Sequence, residues 1–230
     1  MFGRSRRGGL ASLNNSSKRF QLSATGSNKP FRDGKFTYFE GGIKSPALVW
    51  TPWLGAGLRG THSKALLHVV DIYGLVKLLA ENSLGGTVSG LFQRNQNESL
   101  DGGNYLYKAI HGDDSGRETI LHNLVLPRNP EEEAPKYCSP TTILPDNYGV
   151  IRHHQHKLFY GYLEEWCRSD LLTEPCPELV FVNGRVAMLF DLDSDPYERT
   201  NIAAKRPSVV KELVSMIEEY AKSAPIQWVV

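Results

Sequence analysis

Residues 34–47 read Gly34-Lys35-Phe36-Thr37-Tyr38-Phe39-Glu40-Gly41-Gly42-Ile43-Lys44-Ser45-Pro46-Ala47. Phe36 to Phe39 is aromatic and β-prone, and the Gly41-Gly42 pair interrupts it. Pro46-Ala47-Leu48-Val49-Trp50 resumes as an expected buried strand, which Pro52 closes. Lys35 stands beside flexible glycines at the mouth of a strand, a position suited to clamping an oxyanion. Residue chemistry alone favours a solvated loop lysine.

Working outward, Thr61 to Asn82 is an expected helix. Leu66, Leu67, Val70, Leu75, Leu78 and Leu79 recur at three- and four-residue steps and give one apolar face. Leu100-Asp101-Gly102-Gly103 reads as a turn and Asn104 to Ile110 as a short helical piece. Residues 127–147, with five prolines and the acidic run Glu131 to Glu133, read as loop. Gly149 to Gly161 reads as the first arm of a β-hairpin, and 163–178 as a second loop. Val186 to Asp191 is an expected strand, Asp193 to Glu198 a turn, and Pro207 to Lys222 a final amphipathic helix. Pro207 suits a first-turn position, where its missing N–H costs nothing. Residues 1–30 show no hydrophobic period and read as irregular. The order of elements predicts the end of an α/β fold followed by a small antiparallel sheet and a C-terminal helix.

The chain has 230 residues, 40% hydrophobic and 22% charged, with a formal net charge of +1. That length suits one domain, or one with a tail. The balanced charge points to no nucleic-acid partner. No apolar run approaches the ~20 residues of a membrane span. Met1 to Arg7 carries three arginines but no apolar h-region follows, so no secretory signal is legible and the compartment is left open. Asn97-Glu98-Ser99 fits the N-glycosylation pattern, as do triplets at Asn14 and Asn15.

Three segments carry a family resemblance. Residues 34–47 match a G-K-x-x-x-(W/Y/F)-E-G-G-(V/I)-(R/K)-x-P-(A/G) pattern. Gly149-Val150-Ile151-Arg152-His153-His154-Gln155-His156-Lys157-Leu158 is similar to A-I-R-x-G-x-W-K-L. Leu189-Phe190-Asp191-Leu192-Asp193-Ser194-Asp195-Pro196-Tyr197-Glu198-Arg199-Thr200-Asn201-Ile202-Ala203 is close to L-(Y/F)-D-L-x-x-D-P-x-E-x-x-N-L-A. Between them, His68-Val69-Val70-Asp71-Ile72-Tyr73 resembles an H-x-x-D helix, and Leu100-Asp101-Gly102 an L-D-G turn. In this order the motifs resemble the sulfatase family, in particular its arylsulfatase B-like group, over about residues 22 to 225.

The resemblance implies the C-terminal portion of an alkaline-phosphatase-like sulfatase fold. Residues 31–126 would be the end of the α/β catalytic domain and 127–230 a C-terminal antiparallel-sheet subdomain. It implies that Lys35 contacts the sulfate, and that the partner is a sulfate ester or a sulfated glycan. Arg152 and His154 are candidate substrate-binding residues. Cys138 and Cys167 fall where relatives place a disulfide, with Cys176 left unpaired or competing for Cys167. The Asp195-Pro196 turn, with Asp191 or Asp193 binding nearby backbone N–H groups, reads as structural.

Sulfatases use a cysteine in a C-x-P-S-R motif, converted to formylglycine, and a calcium ion held by Asp and Asn residues. These parts precede the G-K segment, where this chain has 34 residues and no aspartate before Asp33. Cys138-Ser139-Pro140-Thr141-Thr142 lacks the arginine and lies on the other side of Lys35. His154 and His156 would share one face of a strand, but no third metal ligand is placed by sequence. The expectation is therefore an arylsulfatase-like protein, catalytically incomplete as written, holding no metal or cofactor itself although the full-length family uses calcium. An alternative is a non-catalytic module gripping sulfated glycans through Lys35, Arg32, Lys44 and the histidine strand. A third is a chain that does not fold alone.

Overall fold

In the computed structural model of the chain, the described residues are 27–35, 37–50, 55–83, 102–125, 148–161 and 175–223. They fall into two compact units, one within Met1–Ser45 and Leu121–Val230, the other Pro46–Ile120. The expected loop 127–147, Asn14, Asn15, Asn97, Leu100, Asp101, Cys138 and Cys167 lie outside the described residues. So does nearly all of the expected irregular segment 1–30.

The first unit is built on a small antiparallel sheet. Its strands are β1 Thr119–Val125, β2 Tyr148–His153, β3 His156–Gly161, β4 Val180–Val182 and β5 Arg185–Asp191, in the order β1-β2-β3-β5-β4. β4 and β5 are joined by Asn183-Gly184, both at positive φ, the pairing that a two-residue hairpin turn favours. The α-helix that ends the described chain runs Pro207–Ser223, with Pro207 at its first position as the sequence predicts.

The two faces of the sheet follow from strand alternation. On one face Val150, Phe159, Val186, Met188 and Phe190 pack around Phe39. On the other, Ile151, Leu158, Tyr160, Ala187 and Leu189 meet Val210, Leu213 and Ile217 of the terminal helix. Those helical positions are three and four residues apart, one stripe of the helix. Full burial of a Leu or Ile side chain contributes roughly 1.5–3 kcal/mol, so this stripe fixes the helix on the sheet.

The stretch Phe36–Phe39, read as β-prone, is not a strand at its described residues 37–39, which lead into one helical turn, Glu40–Ile43. Phe39 is a core residue at its start, and the Phe39 carbonyl accepts the N–H groups of Gly42 and Ile43. Gly41 N–H donates to Arg32 O at 2.9 Å, so the loop uses backbone groups that a sheet would have needed. Pro46 to Trp50 is likewise not a strand: it has no regular structure, and Leu48 and Trp50 are 95% and 84% exposed. An apolar run signals burial only where a partner surface exists, and no described element covers this one.

The second unit holds a short 3-10 turn, Ala56–Leu58, and two helices, Asp71–Ser83 and Tyr105–Ile110. The longer helix begins ten residues after the expected Thr61, because residues 61–68 make other bonds. Ala65 N–H donates to Ser63 Oγ, and Leu66 O accepts Arg117 N–H. His68 N–H donates to Asp71 Oδ2. Side-chain oxygens that engage local backbone N–H groups hold it out of a helix.

Candidate functional site

Lys35 is exposed, in a turn closed by Thr37 N–H and Thr37 Oγ1, both donating to Gly34 O at 3.1 and 2.8 Å. This turn rests on the helical turn Glu40–Ile43 through its backbone. A Cβ on Gly42 would run into the carbonyl oxygens of Thr37 and Gly34, and one on Gly41 into those of Arg32 and Asp33. Asn28 Nδ2 donates to Gly41 O at 2.6 Å. The two glycines of the motif are thus required by close backbone approach, where the sequence reading saw a strand break.

Beneath the turn lies a buried ionic triad. Lys157 Nζ is 3.0 Å from Glu40 Oε1 and 2.8 Å from Glu198 Oε1, and all three side chains are essentially inaccessible to water. Glu198 Oε2 also accepts Glu40 N–H at 2.5 Å. Lys157 is carried inward by β3, on the same face as Phe159, and its ammonium lies 5.2 Å from that ring. Glu198 sits at φ 54 in the tight turn after Asp195-Pro196, a strained conformation for a residue with a side chain. Each member of the triad comes from a different one of the three sequence motifs.

Burial pushes the Glu198 carboxyl above the usual glutamate range. The charge and hydrogen bond of Lys157 and the Glu40 N–H pull it back in part, while the Glu40 carboxylate pushes it up further. One ammonium thus faces two carboxylates in a dry site. Lys44, half exposed, adds a weaker pairing to Glu40 Oε2 at 3.8 Å.

Arg32 was a candidate glycan contact in the binding-module reading, and its geometry does not suit that role. It is buried, 5.0 Å from the Phe39 ring centroid, and donates to Glu198 O and Pro175 O. Arg152 and His154 are brought together, with Arg152 Nε donating to His154 O at 3.0 Å. His154 is not on a strand with His156. It is an exposed turn residue at φ 51, because the hairpin reverses at His154-Gln155 and pairs His153 with His156. The alternation expected through His156 therefore stops at His153.

The third motif holds its turn as expected of Asp191, whose Oδ1 accepts the N–H groups of Asp193 and Ser194. Asp195 Oδ2 does the same for Arg199 and Thr200 at 2.8 Å. Asn201 ties the motif to β5, accepting Leu189 N–H and donating to Ala187 O. Cys176 is half-buried against the Phe39 cluster.

In the second unit Asp71 is buried and accepts from four donors: His68 N–H, Gly103 N–H, and Nε and Nη2 of Arg117 at 3.2 and 2.5 Å. Burial alone would raise its carboxyl, but the Arg117 hydrogen bond and charge and the two backbone donors together hold it below the usual aspartate range. Asp71 of the H-x-x-D motif thus gathers Gly103, the residue after the L-D-G turn, and Arg117 at the start of the helix.

No protein-family model matches the chain. The relationship that emerges from individual proteins is to sulfatases, and the chain is similar to the C-terminal part of that family. Within it, the chain is 28% identical over 225 residues to Arylsulfatase J of Mus musculus, covering 90% of this chain and 34% of that protein. It is 24% identical over 189 residues to the N-acetylgalactosamine-6-O-sulfatase of Bacteroides thetaiotaomicron, covering 82% and 29%. The chain therefore spans about a third of the length of these relatives. A solved chain described under glycosaminoglycan metabolism by Bacteroides thetaiotaomicron is 20% identical, with a TM-score of 0.49, covering 84% of this chain and 32% of that one.

Proposed function

We propose that this chain contributes the sulfate-contacting lysine of a sulfatase-type site, with Lys35 placed against the sulfuryl oxygens of a sulfate ester. The observation that carries the reading is the exposed residue Lys35 in a turn packed on Gly42, with Gly41 and Asn28 holding the adjoining helical turn. A cation held in place before the substrate arrives stabilises negative charge without reorganising during the reaction. Arg152 and His154, paired at the β2–β3 turn, are proposed to contact the substrate beyond the sulfate.

The full-length family uses calcium. Among the described residues no group of three or more His, Cys, Asp or Glu side chains stands together as a metal site. These residues do not fit such an ion. The chain contains no C-x-P-S-R nucleophile motif. In this reading the 230-residue chain binds a sulfate ester but does not hydrolyse it.

The test is a pair of assays on the full chain. Inorganic sulfate, titrated while the Lys35 amide is followed by NMR, is expected to bind weakly, with a Kd of about 1 mM or above, and to lose that binding in Lys35→Ala. Incubation with p-nitrophenyl sulfate is expected to release no p-nitrophenol. Sulfate binding that survives Lys35→Ala refutes the site, and turnover by pure protein refutes the non-catalytic reading.

A further inference from the structure

We propose that Glu198 and Lys157 are positioning residues for Lys35, setting the place of its turn through a continuous line of contacts with Glu40 and the glycine pair. This rests on the reading of Lys35 as an anion contact. The line runs from β3 and the Asp195-Pro196 turn to Lys157 and Glu198, and from these to both the side chain and the backbone N–H of Glu40. Glu40 opens the helical turn, whose Gly42 abuts the carbonyls of Gly34 and Thr37 on either side of Lys35.

Two features favour positioning over mere stability. Replacing a buried ion cluster by well-packed apolar residues is often neutral or stabilising, so stability gives little reason to bury three charges here. A directional contact such as Glu40 N–H to Glu198 also fixes the helical turn's position, which apolar packing leaves looser. The titratable and charged groups around Glu198 are Lys157, Glu40 and Arg32, with Asp33 against Arg32 and Lys44 against Glu40.

The experiment uses the full chain, inorganic sulfate as the probe and the Lys35 amide shift as the readout, well below each variant's melting temperature. Glu198→Gln and Lys157→Met are expected to weaken sulfate binding at least tenfold, and Lys157→Arg to recover more than half of the loss. Wild-type affinity in folded Glu198→Gln overturns positioning while leaving the Lys35 reading intact. Unchanged binding in Lys35→Ala overturns the reading itself, and the proposal with it. Should the triad variants fail to fold, amide exchange in the wild type decides. The Thr37 and Glu40 amides are expected to open together with one free energy, and markedly easier opening at Thr37 overturns the coupling.

Discussion

Lys157 and Glu198 meet at 2.8 Å with neither side chain reachable by water. Residue 157 lies near the start of β3, and residue 198 in a turn beyond two further strands. With Glu40 they connect the three stretches that carry the family resemblance, so those stretches are also the parts that hold one another. The Lys35 turn is the exposed end of that arrangement.

Truncating the cation should be costly. Lys157→Met leaves Glu40 and Glu198 facing each other in a dry core without the Lys157 ammonium between them. The expected loss is about 3–5 kcal/mol at neutral pH, read from the urea midpoint. The penalty should shrink in acid, where Glu198 takes up a proton.

Glu198 gives the fold a pH dependence whose sign follows from its raised folded pKa. The folded state holds its proton to higher pH than the unfolded chain, so the associated stability is fully present below about 4.5, the ordinary glutamate value. It is lost as pH rises through the folded value. Urea midpoints of wild type minus Glu198→Gln, measured across that interval, should fall with rising pH. A difference that is flat, or that rises, contradicts the burial argument.

Asp71 should behave oppositely. Its lowered folded pKa gives stability that is present above the ordinary aspartate value of 3.8 and lost as pH falls through the folded value. Asp71→Asn should remove that acid-side loss. At neutral pH it should destabilise by about 1–3 kcal/mol, the scale for a charged hydrogen-bond partner removed. Denaturant titrations of both proteins at neutral and acid pH check this.

The terminal helix, β5 and the Asp195-Pro196 turn were legible because their signals are local: Pro207 at a helix start, one apolar stripe, and an Asp-Pro turn. Motif likeness singled out Lys35, and its contact with sulfate stands as a proposal. The triad was not, because Glu40 is separated from Lys157 by 117 residues and from Glu198 by 158. One signal did exist. Lys157 sits in the run Lys157-Leu158-Phe159-Tyr160, where an inward-facing lysine demands a carboxylate partner. The helix start at Asp71 was missed because Leu66, Leu67 and Val70 mimic a helical stripe while the backbone around them bonds to Ser63, Asp71 and Arg117. Pro46–Trp50 was misread because apolar composition does not say whether a covering surface is at hand.

The glycine pair offers a separate check. Gly42→Ala would drive a methyl group into two backbone carbonyls that have no side chain to move aside. Overpacking of this kind costs typically 1–3 kcal/mol, visible in the melting curve. Lys35→Ala, at an exposed site, should stay within about 0.5 kcal/mol of wild type. Sulfate binding should fall in both variants, with a stability loss only in the first.

The most direct measurement is a crystal structure of the full chain soaked in inorganic sulfate. It should show a sulfate oxygen within hydrogen-bond distance of Lys35 Nζ, with the Glu40–Lys157–Glu198 triad intact beneath it. Sulfate bound only at other positions, with the Lys35 ammonium remote from it, would contradict the account.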